Sequence, residues 1–132
     1  MQTFLPYESF HLSAKCLDYR RLGKQRVEAK QILDTLEGKS SGWRHHPAVK
    51  MWVGCEEALR QYLRVMIEEW VSRGYRNTMA IPERCTEYTK PKWLGNEEFH
   101  ASHRSNLKRK DGIYYGSFHE PDNLPYVWPV KD

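Results

Sequence analysis

The chain has 132 residues, 29% charged and 39% hydrophobic, which is enough for one soluble domain with a single modest core. Its formal net charge is +4 and its sequence pI about 9.0, a balance that favours a polyanionic partner without establishing one. No apolar run approaches the roughly 18 residues of a membrane span and the start MQTFLPYESF lacks a signal-peptide core, so a cytoplasmic protein without a membrane partner is expected.

Residues 1–12 read as an extended arm carrying Pro6. Ser13 has the chemistry of an N-cap, and Leu17, Leu22, Ala29, Leu33 and Leu36 then keep helical spacing up to Gly38, a natural residue just past a helix end. Gly23 interrupts the pattern, so one continuous helix and two shorter ones meeting near it both fit. On a continuous helix Leu22, Ala29, Leu33 and Leu36 form the buried stripe, and Arg21 and Glu28 share its border.

Pro47 suits the first position of a second helix, along which Trp52, Cys55, Leu59, Leu63, Met66 and Trp70 recur every three or four residues until Gly74. Residues 75–95, with Pro82, Pro91 and Gly95, read as an irregular connection. A third helix is expected from Asn96 as N-cap, aligning Phe99, His103 and Leu107 on one row and His100, Arg104 and Lys108 on the next. From Gly112 onward come three prolines and the aromatics Tyr114, Tyr115, Phe118, Tyr126 and Trp128. No segment alternates like a strand, and neither repeats nor linkers divide the chain. The expected fold is all-α: residues 1–132 as one compact three-helix domain with long irregular loops and an aromatic C-terminal tail.

Cys16, Cys55 and Cys85 are odd in number, widely spaced and without a CxxC pair, which argues against a disulfide framework and a cysteine zinc site. His100 and His103 lie three apart, but no HExxH pattern accompanies them, and histidines near DNA usually contact phosphate. No metal and no cofactor are therefore expected. No GxSxG turn and no Walker loop is present either.

The segment with most chemistry is Leu17–Pro47. It carries Arg20, Arg21, Lys24, Arg26 and Lys30 with Glu28 as the one acid among them, and ends in Gly-Trp-Arg-His-His-Pro at 42–47. A carboxylate among cations suits an anionic polymer whose chemistry needs one proton-handling group, so DNA or RNA is the first partner to consider. Intrahelical ion pairs from Glu28 to Lys24 or Arg21 are the purely structural alternative.

The series Leu17-Asp18, Leu22, Glu28, Gly38-Lys39, Gly42-Trp43-Arg44, His46-Pro47 resembles the pyrimidine-dimer DNA glycosylases of the phage endonuclease V type, whose bacterial members carry a similar series at matching spacing. The likeness continues more weakly to Arg73-Gly74-Tyr75 and reappears at Arg104, Lys108 and Tyr114-Tyr115-Gly116. It implies a small all-helical protein, expected to act as a monomer in the nucleoid or as a phage-encoded intracellular enzyme. Its partner would be double-stranded DNA that is damaged or abasic.

The resemblance further implies base flipping, attack of the chain's own N-terminal amine on the sugar, and a Schiff base that permits β-elimination. An α-amine titrates near pH 8 against about 10.4 for lysine, so more of it is unprotonated at neutral pH. Gln2 is too large for efficient removal of the initiator methionine, which assigns the amine to Met1. The family's glutamate corresponds to Glu28, which would handle the proton of the opening sugar and stabilise the iminium. Arg104 and Lys108 correspond to the family's basic surface, with Arg21, Lys24, Arg26, Arg44, His45, His46 and Tyr115 as further DNA contacts. Val27 stands where the family usually has arginine, so one phosphate or substrate contact is either missing or replaced, with Arg26 as the candidate replacement.

Two other readings fit the same residues. One is a non-catalytic DNA- or RNA-binding module on this scaffold, favoured by Gln2 and Val27 and disfavoured by Glu28. The other is a hydrolytic nuclease using His45, His46 or His100 with a metal, which lacks acidic ligands.

Overall fold

A computed structural model describes residues 1–130, among which there are five α-helices and no strand. The helices are α1 (Phe10–Cys16), α2 (Tyr19–Leu36), α3 (Pro47–Lys50), α4 (Glu56–Ser72) and α5 (Glu97–Lys110). Three are long, as the periodicity suggests, and two are short ones that it merges into their neighbours.

The first helix begins earlier than expected. Ser9, not Ser13, is the N-cap, its hydroxyl accepting the Leu12 N–H at 3.1 Å. Ser13 is buried and exchanges hydrogen bonds with the backbone of Tyr7 instead. The break between α1 and α2 falls at Leu17-Asp18 rather than at Gly23, because Leu17 turns extended and Asp18 caps α2 by accepting from the Arg21 N–H. Gly23 stays helical for a packing reason: a Cβ there would lie 3.0 Å from the Trp70 ring. The missing side chain lets α2 and α4 approach closely, and these two helices form the central packed pair.

On α2 the buried residues are Leu22, Gln25, Ala29, Ile32 and Leu33, with Leu36 half-buried at the end of the stripe. Pro47 does open a helix, as its fixed φ favours, but α3 stops at Lys50. Gly54, at φ +82°, turns the chain before α4 starts. Trp52 therefore sits in this turn, fully buried, while Leu59, Tyr62, Leu63, Met66 and Ile67 supply the inward face of α4. That row is part of the core, and truncating one such leucine to alanine would cost roughly 2–5 kcal/mol.

Asn96 caps α5 as expected, accepting the Phe99 N–H at 3.0 Å. The tail is strapped along this helix by its small polar residues. Ser105 donates to the Pro121 carbonyl and accepts from Leu124 N–H, Asn106 donates to the Leu124 carbonyl, and Ser102 accepts from Val127 N–H. This places Tyr126 and Trp128 over the body of the protein, beside the N-terminal arm. No helix among the described residues is long and apolar enough to cross a membrane.

Candidate active site

The arm at residues 2–6 is buried but belongs to no helix or strand, so its backbone groups must be satisfied by side chains. Glu28 and Gln25 of α2 take the first of them. Gln2 N–H donates to Glu28 Oε2 at 3.0 Å, and Phe4 N–H donates to Gln25 Oε1 at 2.8 Å. Gln25 Nε2 returns a hydrogen bond to the Gln2 carbonyl at 2.9 Å. Tyr62 of α4 donates to the Phe4 carbonyl, and Trp52 Nε1 to the Thr3 hydroxyl.

His100 and His103 finish the cradle. Leu5 N–H donates to His103 Nδ1 at 2.9 Å, and His100 Nδ1 donates to the Leu5 carbonyl at 2.8 Å. These partners assign the Nε2–H tautomer to His103 and the Nδ1–H tautomer to His100, whose Nε2 accepts from Gly95 N–H. Burial, helped by His100, holds the His103 imidazole down to about 3, so it is a neutral structural acceptor rather than a phosphate contact.

The cradle delivers the start of the chain into a pocket of about 240 Å³, where Met1 and Glu28 meet Arg21, Lys24, Lys110 and Tyr126. One carboxylate thus stands among three cations with the chain's first residue beside it. Glu28 Oε2 receives Gln2 N–H and, at 3.5 Å, Gln25 Nε2, while Oε1 has no hydrogen-bond partner among the described residues. The ion pair of Glu28 with Lys24 or Arg21 does not form: Arg21 pairs with Asp18 at 3.2 Å. Burial alone would raise the Asp18 carboxyl, but hydrogen bonds from Tyr115 and Arg21 outweigh it and hold it below its usual range. Burial also pushes the Tyr126 phenol up to about 12, keeping it a neutral donor at the pocket wall.

On the other flank of Glu28 a cleft of about 470 Å³ opens between Tyr19, Lys24, Val27 and Trp70. Val27 is exposed there, and Arg26 does not stand in for it. Its guanidinium lies over the Trp70 ring at 4.2 Å and donates to Asn77 at 3.2 Å, committed to the α4 side.

The other residues expected to hold DNA divide into two groups. Arg44 and His45 are exposed in the turn after α2, joined by a 3.3 Å contact, and His46 caps α3 by accepting the Ala48 N–H. Arg104 and Lys108 do not form an open cationic row. Arg104 is bound to Glu97, Glu120 and the Pro6 carbonyl, and Lys108 donates to the carbonyls of Phe118 and Glu120. Tyr115 is 2% exposed, with its hydroxyl between the Asp18 N–H and the Asp18 carboxylate. Sequence reasoning missed Gln25, Tyr62 and Lys110; only Lys110, in a basic last turn, carried a local signal.

Among the described residues no group of three His, Cys, Asp or Glu side chains gathers at metal-ligand range. The class defined by this arrangement is a small helical protein presenting Met1 and one carboxylate in a cationic pocket. The chain belongs to the pyrimidine dimer DNA glycosylase family, whose model matches residues 1–83, the span holding the arm, Glu28, the 42–47 turn and α4. No curated protein and no solved structure matches it. Membership places the chain among DNA glycosylases, with DNA as substrate.

Proposed function

We propose that the protein is a DNA-repair glycosylase with abasic-site lyase activity, working through a Schiff base of the Met1 amine on damaged or abasic duplex DNA. What supports this most directly is the Gln2 N–H to Glu28 Oε2 hydrogen bond, which ties the head of the chain to the pocket's one acid.

The unprotonated Met1 amine attacks C1′ of a nucleotide turned out of the duplex. The N–C1′ bond forms as the glycosidic bond breaks, and the base leaves with the bonding pair and takes up a proton. Glu28 relays a proton from the attacking nitrogen to O4′, which opens the sugar and leaves an iminium at C1′. The carboxylate then faces a cation and stabilises it. Loss of a C2′ proton expels the 3′ phosphate, and water hydrolyses the imine, returning the free amine. At an abasic site, the same amine condenses directly with the C1′ aldehyde and releases water.

Lys24, Lys110 and Arg21 line the pocket where the flanking phosphates would lie, and Arg44 extends the cationic surface along the turn, with His45 and His46 beside it. Arg104, Lys108, Tyr115 and Arg26 act by holding the fold rather than by contacting DNA.

Borohydride trapping on abasic-site duplex, with mass spectrometry of the adduct, tests the proposal. A covalent adduct on Met1 that disappears when the amine is acetylated is the expected result. Trapping that survives acetylation moves the nucleophile to a lysine such as Lys24. Binding without any adduct makes the protein a non-catalytic DNA-binding module.

A further inference from the structure

Trp43 has φ +70°, the left-handed region, and among the described residues it is the one non-glycine residue there. A bulky aromatic disfavours that backbone, which persists only where surrounding contacts hold it. Here His46 N–H donates to the Trp43 carbonyl at 2.8 Å, and the Thr35 hydroxyl shares its proton between the Gln31 carbonyl at 2.9 Å and the Gly42 carbonyl at 3.1 Å. The strain does not serve burial, since the indole remains 58% exposed. Its edge meets the His46 ring, His46 meets Trp128, and Trp128 meets Tyr126, three ring-to-ring steps each under 6 Å. Tyr126 lines the pocket of Glu28, so the exposed indole is linked by packed rings to the wall of that pocket. The same loop holds an open cleft of about 430 Å³ lined by Lys39 and by Arg44, the residue that follows Trp43.

We propose that Trp43 is a stacking wedge: its indole inserts against a base left unstacked next to the lesion, while Arg44 and Lys39 hold the adjoining phosphates. This rests on the reading of the protein as a DNA-repair glycosylase and adds to it a residue that prises or props the duplex. An exposed aromatic on a loop that also carries two cations fits a nucleobase with its phosphates, because every base offers a π-face and every linkage an anion. The ion pair of Lys39 with Glu37 is surface-exposed and exchanges readily for a phosphate.

The test compares wild type, Trp43→Gly and Trp43→Phe on a duplex with an uncleavable tetrahydrofuran abasic analogue and 2-aminopurine beside it. Glycine accepts φ +70° without strain, so Trp43→Gly should keep or raise the melting temperature. Its affinity should nonetheless fall by about 10- to 100-fold with loss of the 2-aminopurine response, and Trp43→Phe should keep most of both. The slope of log K against log salt should stay unchanged, since no charge is removed. Equal affinity and equal 2-aminopurine response in wild type and Trp43→Gly overturn the wedge while leaving the enzyme reading intact. A fall in melting temperature that accounts for the lost affinity returns Trp43 to a structural role. A wild-type protein that binds no duplex overturns both.

Discussion

Gln25 holds Gln2 in place: its Nε2 donates to the Gln2 carbonyl at 2.9 Å while its Oε1 accepts the N–H of Phe4, so one carboxamide fixes two positions of the arm. The Tyr62 hydroxyl of α4 lies 2.8 Å from the Phe4 carbonyl and 2.5 Å from that same Oε1, so its one proton is shared between arm and carboxamide. A buried amide with donor and acceptor both used is well suited to setting register, since reversing it would leave two buried groups unpaired.

Gln25→Glu is expected to separate arm placement from DNA grip. It keeps an acceptor for Phe4 N–H, loses the donor to Gln2, and sets a second carboxylate near Glu28 Oε2, now 3.5 Å from Gln25 Nε2. Unsatisfied buried groups of this kind cost about 1–3 kcal/mol each. The single-turnover trapping rate should drop at least about tenfold, with the pH profile displaced and the affinity for abasic duplex nearly unchanged. An unaltered rate and profile would show that the arm's register does not govern the chemistry.

Glu28→Gln preserves shape and still offers an acceptor to Gln2 N–H, but it cannot carry a proton. General acid–base groups typically contribute roughly 10²–10⁴-fold, so strand cleavage should fall within that range while duplex binding persists. The measurement is cleavage per folded molecule together with a binding isotherm. Undiminished cleavage in a less stable protein would reduce Glu28 to an anchor for the arm.

Much of the scaffold is legible in the sequence because it rests on local signals. The α2 stripe, the α5 start at Asn96 and the Pro47 opening follow from periodicity and caps within a few residues. The break at Asp18 was hidden because Leu22, Ala29 and Leu33 continue the spacing set by Leu17, and only the capping geometry of Asp18 interrupts it. The cradle was invisible for a different reason. His103 meets Leu5 across 98 residues and Gln25 meets Phe4 across 21, partnerships that leave no periodic mark. The same applies to Arg104 and Lys108: they share a helix row as spacing suggests, yet the folded tail brings Glu120 and backbone carbonyls onto them.

Lysine replacements locate the DNA surface. Lys24→Ala and Lys110→Ala remove cations that line the pocket without an ion-pair partner among the described residues. Each should lower the slope of log affinity against log salt by about one unit. Arg104→Ala should leave the slope unchanged and instead lower stability by about 1–3 kcal/mol, because Glu97, Glu120 and the Pro6 carbonyl lose their shared donor. A reduced slope in Arg104→Ala with normal stability would restore α5 to the DNA surface.

His103 should make the fold acid-sensitive over a defined window. An unfolded histidine titrates near 6.5, whereas burial, with His100 adding to it, holds the folded imidazole down to about 3. Folding thus favours the neutral ring, and this contribution is fully present above about pH 6.5. Below that, the unfolded chain takes up a proton that the folded chain refuses, and stability declines by up to about 1.4 kcal/mol per pH unit until about pH 3. Asp18, held low by its Tyr115 and Arg21 hydrogen bonds against the opposing effect of burial, adds a loss at the acid end as pH falls through its folded value. Urea midpoints between pH 7.5 and 4 for wild type and His103→Asn decide the matter. Asparagine can accept the Leu5 N–H but does not titrate, so the variant should be less stable at pH 7.5 yet show a slope shallower by one proton between pH 6 and 4. Parallel slopes would mean that His103 is not the neutral acceptor of Leu5 and that the arm is anchored mainly by Gln25 and Tyr62.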